Sequence, residues 1–286
     1  MSVTLACPQC RSPLAETASG YRCPTHGDYV RDARGFINFL GPRDDYFADH
    51  WAAHQLPEIP PSKRATAAAF LEPLIERLSH GTVVDVGTGD GVHLHYLREA
   101  APQLHCAGLD ISASGLATTH QRRPDALLMQ ADAQAIPLAD ASVDAAVSYG
   151  VLAYVPDPWR GLAEMVRITK HGGLIGLWMY PNMRGPLGLL FRLTRATVTR
   201  LPRFLQHRVA DLIVPFLRWL PVNSGIHPGN ARWAACREVV LVNIAPPQLI
   251  FPTRAEIVAQ LESLGCRVVA ENTSAPITLW AVKEAA

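Results

Sequence analysis

No apolar stretch in this 286-residue chain approaches the roughly 18–20 uninterrupted residues that a membrane-spanning helix requires. Charge is scarce as well: 18% of residues are charged and the formal net charge is +1, which gives no global attraction for a polyanionic partner. The opening Met1-Ser2-Val3-Thr4-Leu5 lacks the basic region and apolar core of a secretion signal, so a cytoplasmic location is expected. Without such a signal, six cysteines point to reduced thiols, metal ligands or buried small side chains rather than disulfides. What the chain does have is apolar substance. At 49% hydrophobic it can build a sizeable core, in one large domain or two smaller ones, and disorder is disfavoured.

The most informative string is Val83-Val84-Asp85-Val86-Gly87-Thr88-Gly89-Asp90-Gly91. A short β-branched run ends in an acid and then three glycines at alternate positions, which predicts a buried parallel strand turning sharply into a helix near Gly91. Glycines allow positive φ and let a ligand lie against the backbone, while the helix N-terminus offers free N–H groups. The spacing differs from Gly-x-Gly-x-x-Gly, so no nicotinamide cofactor follows from it.

Downstream segments fit the same architecture. His105–Ile111 reads as a second strand ending in Asp110, where a carboxylate can accept both hydroxyls of a ribose. A third strand, Ala126–Gln130, runs into Ala131-Asp132-Ala133, and Val143–Tyr149 makes a fourth. Asp157 caps a helix that starts at Pro158, carries a buried stripe of Leu162, Met165, Val166 and Ile168, and stops at Gly172-Gly173. Leu174–Tyr180 is a fifth strand. The alternation predicts an α/β, doubly wound parallel sheet.

In combination these motifs resemble the class I S-adenosylmethionine (SAM)-dependent methyltransferases. The resemblance implies a mostly parallel, seven-stranded Rossmann-like sheet, closed by a helix at Thr253–Gly265 and antiparallel strands at Arg267–Glu271 and Ile277–Val282. It implies SAM as co-substrate: Asp85 orients the glycine loop, Asp110 holds the ribose, Asp132 meets the adenine amino group and the N–H of Ala133 meets the ring. The cofactor set is then Asp85, Gly87, Thr88, Gly89, Gly91, Asp110, Ile111, Asp132, Ala133 and Tyr149. Gly150–Pro158 looks like the corresponding loop of enzymes that methylate small molecules. If the acceptor is a phenol or enol, a base must take its proton. Tyr154, Tyr180, His171 and His227 are placed at the pocket mouth, whereas His93 and His95 pack or meet solvent. No catalytic residue is assigned.

Ahead of the core, Cys7-Pro8-Gln9-Cys10 is followed after twelve residues by Cys23-Pro24-Thr25-His26. Two such pairs suit a tetrahedral structural zinc on Cys7, Cys10, Cys23 and His26, with Asp28 near enough to compete for the fourth position. About 40 residues cannot bury enough surface to fold alone, so metal would supply the deficit of a separate N-terminal unit. Its tail, Tyr29–Leu40, looks like the zinc ribbon of some bacterial methyltransferases, one group of which modifies a ribosomal RNA guanine.

Five segments result: a zinc-ribbon module (1–41), linker and N-terminal helices (42–80), the SAM-binding core (81–181), a helical lid insert (182–252) and the closing helix and strands (253–286). In the linker, Tyr46-Phe47-Ala48-Asp49-His50-Trp51 either folds over the cofactor with Tyr46 facing SAM or is a plain surface helix. From 184 to 218 the insert holds seven arginines, no lysine and one acid, Asp211, among leucines at helical spacing broken near Pro202 and Pro215. It roofs the substrate pocket, with an anionic membrane surface or RNA phosphates as further partners. The expected function is methyl transfer to oxygen or carbon of a small, fairly apolar metabolite. The alternatives are a ribosomal RNA base methyltransferase and a non-catalytic SAM-binding partner protein; the oligomeric state is open.

Overall fold

The computed structural model describes residues 3–53, 58–180, 185–219, 233–246, 248–272 and 276–285. In chain order the N-terminal region contains strands β1 (Ala15–Thr17), β2 (Gly20–Cys23), β3 (Gly27–Val30) and β4 (Ile37–Asn38), then helices α1 (Ala48–Ala53) and α2 (Pro61–Arg77). The core follows as β5 (Gly81–Val86), α3 (Val92–Ala100), β6 (Leu104–Asp110), α4 (Ala113–Arg122), β7 (Leu127–Gln130), β8 (Val143–Tyr149), α5 (Pro158–Ile168) and β9 (Thr169–Met179). The insert supplies α6 (Gly185–Val198), α7 (Arg203–Ile213) and α8 (Trp233–Ile244), and the chain closes with α9 (Arg254–Ser263), β10 (Cys266–Asn272) and β11 (Ile277–Lys283).

Apolar strands flanked by amphipathic helices can bury both faces only by winding the helices to either side of a parallel sheet. The order β10-β11-β9-β8-β5-β6-β7-β4 is that solution, parallel except for the pairings of β11 with β9 and with β10. Side chains alternate along β5: Val84 and Val86 join one buried cluster with α5 and α9, and Val83 joins the other with α2 and α3. Seven strands match the expected set. The eighth, β4, comes from the tail of the ribbon and pairs parallel with β7 at the sheet edge.

That edge strand changes how the N-terminal unit is understood. Leu5, Cys7, Cys23, Tyr29, Ile37 and Phe39 share one apolar cluster with the sheet, so the ribbon is built into the core rather than set apart from it. A polar anchor reinforces the join. Arg167 forks onto Glu164 at 2.7 and 2.8 Å and donates to the carbonyls of Ile136 and Leu138, while Glu164 also accepts the Ile136 N–H at 2.9 Å. Arg11 of the ribbon reaches the same carboxylate at 3.3 Å.

Helix α5 corrects the sequence reading at its end. It stops at Ile168, not at Gly172-Gly173, and Thr169 already pairs with Val143 in the sheet. Lys283 donates to the carbonyls of Val166 and Thr169, and the Thr169 hydroxyl to that of Met165, so the helix end is satisfied by side chains. The glycines fall instead in a register shift, with Gly172 at φ +78°.

The insert also differs from a lid whose apolar stripe simply covers the sheet. Val198, Ala210, Val214, Cys236, Val240 and Ile244 form a core of its own. Arg195 is buried within it and donates to the carbonyls of Asn243 and Pro246 at 2.6 and 2.8 Å. Among the described residues no helix is long and apolar enough to cross a membrane.

The Glu164–Arg167 pair is buried, so removing one member leaves the other uncompensated. Glu164→Ala should lower the unfolding free energy by about 3–5 kcal/mol in urea titration. Arg11→Ala, on an exposed side chain, should cost under about 1 kcal/mol.

Candidate active site

Parallel strands bring their carboxyl ends to one edge, and the site is built there. Asp85 stands opposite Gly108 of β6 and Val147 of β8, and Asp110 stands opposite Gln130 of β7. Past β5 the chain turns through Gly87, Gly89 and Gly91 at φ +84°, +54° and +76°, a conformation that L side chains disfavour. Space forbids a side chain as well: a Cβ on Gly87 would lie 2.2 Å from Val151, and one on Gly91 2.7 Å from Thr119. Gly91 then caps α3.

The loop is held by its neighbours. Gly87 and Thr88 donate to the Leu109 carbonyl at 2.7 and 3.0 Å, and Gly89 donates to Asp110 Oδ2 at 2.8 Å. The other Asp110 oxygen accepts the Ser112 N–H at 2.8 Å, where Ser112 caps α4. Burial pushes the Asp110 carboxyl up to about 6, and the two N–H donors pull against it. Asp85, expected to orient the loop, makes no hydrogen bond to it. It is fully buried, neither of its oxygens receives a hydrogen bond among the described residues, and its nearest basic group is His93 Nδ1 at 3.7 Å. Thr88 Oγ1 is likewise buried without a partner. Next in the loop, Asp90 meets Lys63 of α2 and Arg122 of α4, both at 3.1 Å. Burial raises its carboxyl, but the two cations outweigh that and hold it below the usual carboxylate range.

Ile111 follows Asp110, its carbonyl accepting from Gln130 at 3.2 Å. Asp132 follows β7 and accepts the Gln134 N–H at 2.9 Å, with Ala133 buried beside it. Tyr149, at the end of β8, stacks on Trp178 with ring centroids 4.4 Å apart and meets His93 at 4.9 Å and Phe70 at 5.2 Å. Phe70, Tyr149, Trp178 and Trp280 wall an open groove of about 470 Å³ between α2 and the closing strands. His93, read from sequence as a packing or solvent residue, therefore sits between Asp85 and the aromatic wall.

Of the four residues named as bases, Tyr154 and Tyr180 meet edge to face at 5.9 Å, with Phe47 beyond at 6.4 Å from Tyr154. Burial raises both hydroxyls above the ordinary tyrosine range, Tyr154 well above it, so at neutral pH they are donors rather than bases. His171 is not at the pocket mouth. It lies near the amino end of β9, at the opposite edge of the sheet, bonded to the Glu284 carbonyl at 2.7 Å. His227 lies outside the described residues.

Two linker residues escaped the sequence reading. Asp45 accepts from the Ser112 hydroxyl and from the backbone and hydroxyl of Ser114 at 2.7–2.9 Å, strapping the linker to the start of α4. Trp51, not Tyr46, lies against the glycine loop. A Cβ on Gly89 would come within 2.4 Å of its ring, and one on Gly115 within 3.0 Å of its Nε1. Tyr46 instead faces Arg203, 5.6 Å from its ring centroid. An aromatic run answered by glycines elsewhere in the chain was the available signal.

In the ribbon, one donor atom from each of Cys7, Cys10, Cys23 and His26 lies within 4.8 Å of the other three. The Cys7 and Cys23 sulfurs are 3.4 and 3.6 Å from His26 Nδ1. Asp28 is engaged by Arg22 at 2.5 and 2.8 Å, which leaves the fourth position to His26.

Residues 84–177 match the family model described as methyltransferase domain. The core is a methyltransferase domain. Over 92 residues the chain is 41% identical to demethylmenaquinone methyltransferase of Renibacterium salmoninarum, covering 32% of this chain and 38% of that one. Over 132 residues it is 34% identical to trans-aconitate 2-methyltransferase of Azoarcus sp., covering 46% and 52%. The matches thus span about half or less of these curated relatives. Among solved structures, a proposed S-adenosyl-L-methionine-dependent methyltransferase of Methanococcus maripaludis superposes with a TM-score of 0.52 at 16% identity, over 86% of this chain and 98% of that one. A chain from the complex of the Haloferax volcanii methyltransferase activator Trm112 gives 0.52 at 17% identity, over 85% and 100%. These two share the fold of the methyltransferase domain and its flanking elements.

A buried carboxylate without hydrogen bonds destabilises the ligand-free domain. Asp85→Asn should therefore raise its unfolding free energy in urea by about 1–3 kcal/mol, the usual size for an unsatisfied buried group. In calorimetry the same substitution should weaken SAM binding at least roughly tenfold, the loss of one charged hydrogen bond. A variant that is less stable and binds SAM as before would mean that Asp85 is satisfied within the protein.

Proposed function

We propose that this chain is a SAM-dependent methyltransferase acting on oxygen or carbon of a small, fairly apolar acceptor, with a structural zinc in its ribbon. The observation that carries the reading is the three-glycine cradle tied to Asp110, whose buried carboxylate keeps lone pairs beyond the two N–H groups it accepts. The remaining polar groups fit the same ligand. Asp85 offers a buried carboxylate without hydrogen bonds to an α-ammonium, Thr88 a free hydroxyl, and Asp110 an acceptor to ribose hydroxyls. Asp132 and Ala133 stand at the next strand end for an adenine. When bound, SAM supplies an electrophilic methyl group on a sulfonium. The protein's part is to align the acceptor, worth roughly 7–11 kcal/mol for two well-oriented reactants.

The acceptor's character is inferred from the walls. Tyr149, Trp178, Trp280 and Phe70 offer aromatic faces, and Tyr154 and Tyr180 offer neutral hydroxyls that donate. Aromatic walls of this kind favour a flat, weakly polar molecule over a phosphate backbone. The demethylmenaquinone relative, matched over a third of this chain, supports an acceptor of that kind.

The test joins turnover to binding. Protein incubated with methyl-labelled SAM should label a small-molecule extract and leave total RNA unlabelled; label in RNA alone would replace this reading with base methylation, and label in neither would leave a SAM-binding protein. Because an ionised carboxylate accepts from hydroxyls more strongly than a protonated one, SAM affinity should fall as pH drops through about 6. Asp110→Asn should bind at least roughly tenfold more weakly at neutral pH, the loss of charged hydrogen bonds, with that pH dependence gone.

For the ribbon, three thiols and an imidazole are a tetrahedral zinc set, and the S···N spacings of 3.4 and 3.6 Å fit ligands gathered around a single ion. Hydrogen bonding with Ser12 lowers the Cys10 thiol to about 6, which favours the ligating thiolate. Elemental analysis should find about one zinc per chain, as a closed four-ligand site requires. Cys10→Ser should lose it and, because the ribbon shares the core's apolar cluster, lower the melting temperature of the whole chain. Zinc-free native protein prepared without chelators would overturn the assignment.

A further inference from the structure

Ten large apolar side chains stand exposed among the described residues, and eight of them belong to the insert and the first residue of α8. The strongest cases are Leu190 at 60% exposure, Leu193 at 58%, Phe204 at 68%, Leu212 at 73% and Phe216 at 62%. Surface helices ordinarily turn polar residues outward. Here the inward positions of α6 and α7, such as Val198 and Ala210, already fill the insert's own core, so the outward leucines and phenylalanines are a second apolar face that stands exposed among the described residues. Exposed apolar surface on this scale marks an interaction site.

The charge around it selects the partner. Arg192, Arg200 and Arg208 are exposed and form no ion pair among the described residues. The one acid on these helices, Asp211, already accepts from Trp233 Nε1 at 2.7 Å. A second copy of the chain would set arginines against arginines. A nucleic acid would match the arginines but leave the leucines and phenylalanines in water. An anionic bilayer answers both, with phosphates for the guanidiniums and hydrocarbon for the side chains between them.

We propose that the outward face of α6 and α7 docks on an anionic phospholipid bilayer. Its position gives the contact a consequence: Arg203 of α7 pairs with Asp49 of α1 at 2.7 Å, and Trp51 of the same short helix lies on the glycine loop. A docked insert therefore holds the acceptor end of the domain next to the membrane. The docking does not depend on which molecule is methylated, and its test is read without methyl transfer.

The full chain is sedimented with mixed phosphatidylglycerol–phosphatidylcholine vesicles and with phosphatidylcholine vesicles alone. Preferential binding to the mixed vesicles is expected. Replacing Arg192, Arg200 and Arg208 together with Gln should weaken it by about a hundredfold, roughly fivefold for each charge near the surface. Phe204→Ser combined with Leu212→Ser should also weaken it, with an unchanged or higher melting temperature because both side chains are exposed. Circular dichroism of each variant checks folding independently of SAM. Equal binding to both vesicle types, no binding to either, or variants that bind like the parent would overturn the proposal. So would salt-sensitive RNA binding abolished by the arginine variant, or a stable dimer dissociated by the serine variant.

Discussion

The carboxylate of Asp110 is the tie on which the active-site edge depends. One oxygen holds the N–H of Gly89 in the glycine loop and the other holds that of Ser112 at the start of α4, so two loops from different crossovers are fixed to one strand end. The network spreads from there. Thr119 of α4 donates to the Gly89 carbonyl at 2.8 Å, and Asp45 of the linker accepts from Ser112. Burying the charge disfavours it, and two backbone donors do not bring the carboxyl back to its ordinary range. The residual acceptor capacity is a demand for a ligand with hydroxyl donors. Asp85, with no hydrogen bond among the described residues, states the same demand for a cation.

The segments before the core complete that edge. Lys63 of α2 binds Asp90 and Trp51 covers Gly89, so two N-terminal residues bear on the glycine loop, while Asp45 binds the neighbouring α4 cap. The ribbon acts on the sheet instead. Its tail adds β4 beside β7, and the Phe39 N–H donates to the Gln130 carbonyl at 2.9 Å, at the same strand end that precedes Asp132. Metal binding at Cys7 and Cys23, both buried in the sheet's apolar cluster, would thus stabilise the edge that carries Asp132.

The parts legible in the sequence are those that local backbone demands. Three glycines at positive φ, a serine or aspartate at a helix cap and an apolar run ending in an acid each write their conformation into the residue type, so the five parallel strands and the Asp157 cap were readable. What escaped depends on residues far away. The end of α5 is set by Lys283, more than a hundred residues later, and glycines that looked like a helix stop serve a register shift. His171 was misplaced for a related reason: the start of a parallel strand lies at the edge away from the site, whatever chemistry its residues carry. The positions of His93 and Trp51 follow from which helix faces pack on the loop, and a period of 3.6 residues specifies a face only once its partner is known.

Arginine shows the same gap between residue type and role within one helix. Arg195 is buried, its guanidinium bound to two carbonyls that end α8, and its removal would leave those carbonyls unsatisfied in an apolar core. Arg192, about one turn before it on α6, and Arg200, two residues past the end of that helix, stand exposed. The insert therefore gives its cations two tasks: inward to knit α6 onto α8, outward to charge a face whose leucines and phenylalanines are exposed among the described residues. A roof over a pocket needs only the first. The second places apolar surface in water at a free-energy cost that folding does not recover, and such a face is explained when another surface completes it.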